Sequence, residues 1–306
     1  MSTVTKSAEE FESHRPRLFG LAYRMLGSAA EAEDVVQDAY LRWSGADPDH
    51  VERPGAWLAT VVTRLCLNRL ASARARREEY PGPWLPEPLV TDDAALGPPE
   101  SAERREAVSM ALLVLLERLT PTERAVYVLR EAFAYSHREI AGAVGVSEAN
   151  SRQLHRRASA RVASAGPPSR PRDERRHREL VEAFAAAARD GALAALEKVL
   201  ADDVTWVGDG GGVVRSGLRP IVGRAKVLRF LAGVLPRHPG GVRFDRAEVN
   251  GAAALVAWSG PALVAVASFT VRDGLVATVH SMVNPDKLAY VERQLSHPGG
   301  LAGSHR

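Results

Sequence analysis

A single cysteine, Cys66, stands in the 306 residues, so no disulfide can form within the chain. Cys66 lies in an apolar helical run, and its expected role is an inert core thiol. Neither sign of charge dominates. Lys and Arg number 40 against 37 Asp and Glu, and a net charge of +3 is too small to indicate a nucleic-acid partner, so only local clusters carry that argument. No apolar run is long enough to span a bilayer, and residues 1–10 contain no apolar signal core. A soluble, cytoplasmic protein is expected. No Cys or His cluster has metal-ligand spacing, and neither a P-loop nor a dinucleotide-type glycine fingerprint occurs. The expectation is therefore no metal, no cofactor, no catalytic residue and no enzymatic activity.

Hydrophobic residues make up 45% of the chain, enough to bury real cores, and the length suggests two or three compact units. Two proline-rich breaks mark them. Residues 8–78 read as all-helical and end in an arginine-rich tail. The break Tyr80-Pro-Gly-Pro-Trp-Leu-Pro-Glu-Pro88 cannot be helix, because each proline removes a donor and restricts its predecessor. A linker over residues 79–100 follows from it. Residues 101–165 are helical again, and 166–173 form a second linker. Residues 174–290 change character: helical segments near 174–200 and 220–235 flank Val204-Thr-Trp-Val207. Strand-like runs then cover 242–249, 253–258, 262–272 and 275–283, separated by Asn250-Gly251, Gly260 and Asp273-Gly274. Helices followed by an antiparallel meander make this block α+β. Residues 291–306 read as a flexible tail.

In Glu31-Ala-Glu-Asp-Val-Val-Gln-Asp-Ala-Tyr-Leu-Arg-Trp43, the residues Ala32, Val35, Val36, Ala39, Tyr40 and Trp43 recur at steps of three and four, which predicts a helix with one apolar face. Glu33, Asp34 and Asp38 sit on or beside the other face. Pro54 suits a helix start, Trp57, Val61 and Leu65 form a stripe, and Arg64, Asn68 and Arg69 lie elsewhere on the helix before Arg74, Arg76 and Arg77. These arginines form either a solvated face or a phosphate-tracking surface.

The string at 31–43 resembles the polymerase-binding helix of bacterial sigma factors of the extracytoplasmic-function (ECF) group, and residues 11–77 look like sigma region 2. The resemblance implies that Asp34, Val35, Gln37, Asp38, Leu41 and Trp43 bind the β′ clamp helices of RNA polymerase core. It also implies that the segment 47–68 melts the minus-10 element and reads a flipped base through His50, Arg53, Trp57, Arg64 and Asn68. Similar proteins often carry Asp where Asn68 stands.

In the second block, Thr120-Pro-Thr-Glu123 combines an N-cap, a first-position proline and a capping-box partner. Residues 135–157 read as a helix-turn-helix. Ile140, Ala141 and Val144 face inward, Gly145 permits the turn, Val146 plugs the junction and Ser147 caps the second helix. Leu154, Ala158 and Val162 are expected inside, with Ser151, Arg152, His155 and Arg156 outside, toward a major groove. The block resembles sigma region 4, which implies minus-35 reading through those four residues and contact with the polymerase β flap. Arg152 is the first choice for a guanine.

The third block looks like a SnoaL-like domain, a cone-shaped α+β fold. Trp84-Leu-Pro86, Asp209-Gly-Gly-Gly212 and Asn284-Pro-Asp-Lys-Leu288 together resemble ECF sigma factors with such a fused extension. That subgroup usually has Lys where Val213 stands. By themselves, the three strings could serve as a linker anchor, a positive-φ turn and a strand end. The resemblance implies that the extension acts in place of a separate anti-sigma factor. Trp84, Leu85, Pro86, Asp209, Gly210, Gly211, Gly212, Asn284, Pro285, Asp286, Lys287 and Leu288 are then the interdomain regulatory residues, with Asn284, Asp286 and Lys287 expected against the sigma core and the Trp84-Leu-Pro86 linker in the same interface. The whole reads as two helical domains followed by an α+β cone, with promoter DNA and RNA polymerase core as partners. A cone pocket also admits a small-molecule ligand or isomerase- or cyclase-like chemistry, with Trp206, Asp209, Arg215 and His280 near it.

Overall fold

A computed structural model of the chain describes residues 3–46, 51–91, 108–164, 174–235 and 241–296. The chain divides into two compact units. One holds residues 1–78, 93–108 and 112–167, and the other holds 79–92, 109–111 and 168–306.

The first unit is helical. Helices α1 (Thr3–Leu26), α2 (Ala29–Ser44) and α3 (Pro54–Glu78) pack together, followed by α4 (Met110–Leu116), α5 (Pro121–Glu131), α6 (His137–Val144) and α7 (Glu148–Ser164). Ser28 caps α2 by accepting from the Glu31 amide, and Ala32, Val35, Val36, Ala39 and Trp43 are buried at the predicted spacing. Both bonds of the expected capping box form at Thr120 and Glu123, and a second box at Ser136 and Glu139 starts α6. Gly145 ends α6 at φ +79°, the left-handed conformation that glycine adopts without strain. Ser147 then accepts from the Asn150 amide at 3.2 Å.

The second unit wraps α8 (Glu174–Arg189), α9 (Leu193–Val199), α10 (Arg224–Val234) and α11 (Pro285–Ser296) around a six-stranded sheet. Its strands are β1 (Leu200–Asp209), β2 (Ile221–Val222), β3 (Arg243–Val249), β4 (Ala252–Ser259), β5 (Ala262–Arg272) and β6 (Leu275–Met282), in the order β2-β1-β6-β5-β4-β3. The meander β3 to β6 is antiparallel, as its turn signals require. Asn250 and Gly251 both take positive φ, as do Asp273 and Gly274, the backbone of tight hairpin turns. β1 pairs with β6 in parallel, a long-range register that no local signal announces. Register shifts interrupt the β1–β6, β4–β5 and β5–β6 ladders, and Leu180, Phe184, Val227 and Leu231 from the helices form one core with Trp206, Leu255 and Phe269 of the sheet.

Two boundaries differ from expectation. The tail assigned to 291–306 begins inside α11: Leu288, Val291 and Leu295 share its buried face, and this spacing carries the helix to Ser296. Residues 79–91, assigned to the linker, pack as part of the sheet unit.

Candidate functional site: a linker latch and the candidate promoter-binding helices

The three strings at 84–86, 209–212 and 284–288 converge on one buried carboxylate. β1 ends at Asp209, which is fully buried. Tyr80 donates to its Oδ1 at 2.5 Å, and the Gly211 amide donates to the same oxygen at 3.1 Å. The Leu85 amide and Lys287 Nζ donate to Oδ2 at 2.8 and 2.7 Å. Lys287 Nζ also donates to the Leu85 carbonyl at 2.7 Å and lies 4.0 Å from the centroid of the Trp84 ring. Asn284 donates to the Tyr80 hydroxyl at 2.9 Å, and its own Oδ1 accepts from the Asp286 amide. Burial, then the hydrogen bond and charge of Asp209, push the Tyr80 phenol well above its ordinary value. Tyr80 is therefore a lasting donor. A buried charge pair is retained only when its remaining lone pairs and protons are satisfied, and here they are.

The glycines are explained by close approach. A Cβ on Gly211 would lie 2.3 Å from the Asn284 amide nitrogen, and one on Gly212 would lie 2.6 Å from Pro81. Both residues also have positive φ. Gly210 accepts from the Val213 and Val214 amides and turns the loop back.

Further along, Leu89, Val90 and Thr91 lie against the edge of the sheet. Val90 bridges Val249 of the edge strand β3. The Thr91 amide donates to the Glu248 carbonyl, and Leu89 and Asn250 exchange hydrogen bonds. Gln294 of α11 accepts from the Val90 amide and donates to its carbonyl at 3.0 and 3.2 Å. The linker thus covers an exposed strand edge by β-augmentation. The sequence reading missed Tyr80, Thr91, Asn250 and Gln294. The β-branched pair Val90-Thr91 after a proline run was the available signal.

Asn284 and Lys287 were expected against the sigma core. They face the linker, which was expected in the same interface, and Asp209, because burying Asp209 demands donors that the linker alone cannot supply. Asp286 is exposed, while Leu85, Pro86 and Leu288 are buried.

Beside this cluster, a cavity of about 450 Å³ opens within the sheet unit, lined by Trp206, Phe230, Phe244, Arg215, Ser216 and Leu288 among others. Among the described residues lining it there is no carboxylate or imidazole. Asp209 belongs to the latch, and His280 is buried in β6, where desolvation lowers its pKa to about 4.

In the helical unit, α2 turns Asp34, Gln37, Asp38 and Leu41 outward, with Leu41 60% exposed. Arg69 of α3 reaches Asp38 at 2.9 Å and Asp34 at 3.4 Å. Val35 and Trp43, expected on this binding face, are buried. They share the apolar stripe, and the Trp43 indole donates to the Ser7 carbonyl. Trp57 is half-buried against Trp43, with ring centroids 5.8 Å apart, and Asn68 is exposed. Arg53 pairs with Glu139 at 3.1 Å, and Arg64 donates to the carbonyls of Gly142 and Ala143 at the C-terminal end of α6. His50 lies outside the described residues, as do the side chains of Arg74, Arg76 and Arg77.

On α7, Arg152 and Arg156 are exposed, and Arg152 pairs with Glu148 at 2.6 Å. Ser151, expected outside, is fully buried and lies 3.0 Å from His137 Nδ1. One turn before Leu154, it sits on the face that packs against α6. His155 lies partly covered, 2.6 Å from Glu131.

The Sigma-70 region 2 family model matches residues 11–76, and the Sigma-70, region 4 model matches 109–162. These two matches define the class: a sigma factor of RNA polymerase. The ECF RNA polymerase sigma factor SigJ of Mycobacterium tuberculosis is 38% identical over 97% of this chain and 98% of its own length. A probable ECF RNA polymerase sigma factor, SigI, of the same species is 32% identical over 96% and 99%. The crystal structure of the M. tuberculosis SigJ superposes with a TM-score of 0.73 at 36% identity, covering 92% of this chain and 98% of that one. The chain belongs to the ECF RNA polymerase sigma factor family, with two helical sigma domains followed by an α+β sheet domain.

Proposed function

We propose that this chain directs polymerase core to its promoters from the cytoplasm and that its own sheet domain sets its activity by holding the linker between regions 2 and 4. The observation that carries this reading is the convergence of Tyr80, Leu85, Asn284 and Lys287 on Asp209. While residues 79–91 stay on the sheet domain, only 92–107 are left to connect the two DNA-reading domains. Their reach on a promoter is therefore limited by chain length. Release of the linker lengthens the tether.

A second brake lies within the helical unit. Arg53 and Arg64 are candidates for minus-10 contact, yet both are engaged by α6 of region 4. A compact form with these pairs closed competes with a promoter-bound form in which they meet DNA. Asp34, Gln37, Asp38 and Leu41 form the surface offered to the β′ clamp helices, and Arg152 and Arg156 the surface offered to the minus-35 element. No separate anti-sigma factor is needed in this scheme. The role of the sheet domain is regulatory rather than enzymatic, a reading supported by the lack of an acid–base pair among the described residues lining its cavity.

Run-off transcription with purified polymerase core tests the reading. Full-length Trp84→Ala and Lys287→Met variants are expected to change transcript yield from a cognate promoter while keeping their affinity for core. Unchanged yield from both would overturn the regulatory role. Failure of the unaltered chain to bind core would overturn the whole scheme.

A further inference from the structure

The two strings that hold the linker each have a second face. In the segment 283–288, Asn284 and Lys287 reach the linker and Asp209, while Val283, Pro285 and Leu288 line the cavity. After Asp209, the chain turns through the glycines and brings Val214, Arg215 and Ser216 to the same cavity. Latch and cavity thus share two segments of chain, 209–216 and 283–288.

The lining defines the chemistry that fits. Trp206, Phe230 and Phe244 supply aromatic surface, and the Trp206 and Phe230 rings stand 5.6 Å apart and tilted at 54°. Arg215 is the one charged residue among the described lining residues, and Ser216 and Ser281 add hydroxyls. A volume of about 450 Å³ lies in the range that holds a small organic molecule of two or three rings.

We propose that this cavity binds a small aromatic acid, its rings against the wall formed by Trp206, Phe230 and Phe244 and its anionic group toward Arg215, and that binding tightens the linker latch. The second part rests on the regulatory reading above. The direction follows from linkage. The cavity is formed with Pro285 and Leu288 in the position that also aims Lys287 at Asp209 and Leu85. A ligand that packs on those residues favours the latched form, and an intact latch favours the ligand by the same factor.

The test uses full-length protein and 8-anilinonaphthalene-1-sulfonate, an aromatic acid of suitable bulk, followed by fluorescence titration and amide hydrogen exchange. Ala265, half-buried on the cavity wall, is replaced in Ala265→Trp to fill the space. Saturable binding is expected in the unaltered chain and its loss in Ala265→Trp. In Arg215→Ala, affinity should fall by about fivefold to tenfold, the scale of one charged hydrogen bond. At saturation, exchange of the Leu85 amide, which donates to Asp209, is expected to slow severalfold. Equal affinity in all three proteins, or unchanged Leu85 exchange at saturation, overturns the proposal. Should Ala265→Trp not fold, the exposed Arg215→Ala change carries the same comparison. These measurements involve no polymerase, so their failure leaves the sigma-factor reading intact. If Leu85 exchange in ligand-free protein ignores Lys287→Met, the latch itself fails, and the coupling fails with it.

Discussion

Lys287 Nζ stands 2.7 Å from the buried carboxylate of Asp209 and 2.7 Å from the backbone carbonyl of Leu85, so one ammonium group ties a β-strand end, a helix start and an interdomain linker together. Removing one member of a buried pair leaves an uncompensated charge. Lys287→Met and Asp209→Leu should each lower the stability of the sheet domain by about 3–5 kcal/mol, read by urea denaturation. The double variant should lose less than the sum of the two. Additive losses would mean that the pair does not act as a unit.

Gly211 and Gly212 offer a second route to the same latch. Gly211→Ala would press on Asn284, and Gly212→Ala on Pro81, both at positive φ. A loss of about 1–3 kcal/mol is expected for each. Linker residues 79–91 should become more open to proteolysis than the α-helices of the same domain. A cleavage pattern identical to that of the unaltered chain would argue against linker attachment at these glycines.

Glu139 tests the proposed competition between region 4 and DNA for Arg53, with which it pairs at 3.1 Å. Its carboxyl lies below the usual carboxylate range, chiefly through hydrogen bonds from the Ser136 backbone and side chain and then through Arg53. Glu139→Gln keeps an acceptor for the Ser136 cap and removes the ion pair. Exposed pairs are worth up to about 1 kcal/mol, so open-complex formation should rise by no more than about fivefold. A fall would show that the pair assists rather than competes.

Arg152 is exposed on α7 and pairs with its neighbour Glu148 at 2.6 Å. Arg152→Ala should cost about 1–3 kcal/mol of binding on cognate promoter DNA and much less on a scrambled minus-35 element. Equal loss on both, in an electrophoretic titration, would assign Arg152 to phosphate rather than to a base.

His280 gives the sheet domain a pH dependence. Burial lowers its pKa from 6.5 to about 4, so the folded domain keeps it neutral while the unfolded chain takes up a proton. The stability it contributes is complete above about pH 6.5 and is lost as the pH falls toward 4, amounting to about 3 kcal/mol. His280→Phe should flatten that part of the profile in melts between pH 7 and pH 4. An unchanged slope would place the dependence on other groups.

Much of this molecule is local and therefore readable from the chain. Helix α2 follows from the spacing of Ala32, Val35, Val36, Ala39 and Trp43, and α5 from its capping box at Thr120. The hairpins follow from Asn250-Gly251 and Asp273-Gly274, whose positive φ values are those of tight turns. The same spacing misled the site assignments. A stripe identifies a helix but also claims its members for the core, which is why Val35, Trp43 and Ser151 turned inward. The strings at 84–86, 209–212 and 284–288 stood out as a set, and the first and last were expected in one interface, yet nothing in them said that they converge on the Asp209 carboxylate.

Composition, helical period, capping and turn chemistry were enough to divide the chain into helical and sheet-forming blocks, since these depend on residues within a few positions of one another. Three-dimensional packing alone settled that β1 runs parallel to β6 and that the linker completes the β3 edge. It also settled that Asp209 finds its donors from the linker and from residues 284–287. Such partners lie far apart along the chain, and what selects them is the cost of leaving a buried polar group unpaired, a cost that exists only once the core has closed.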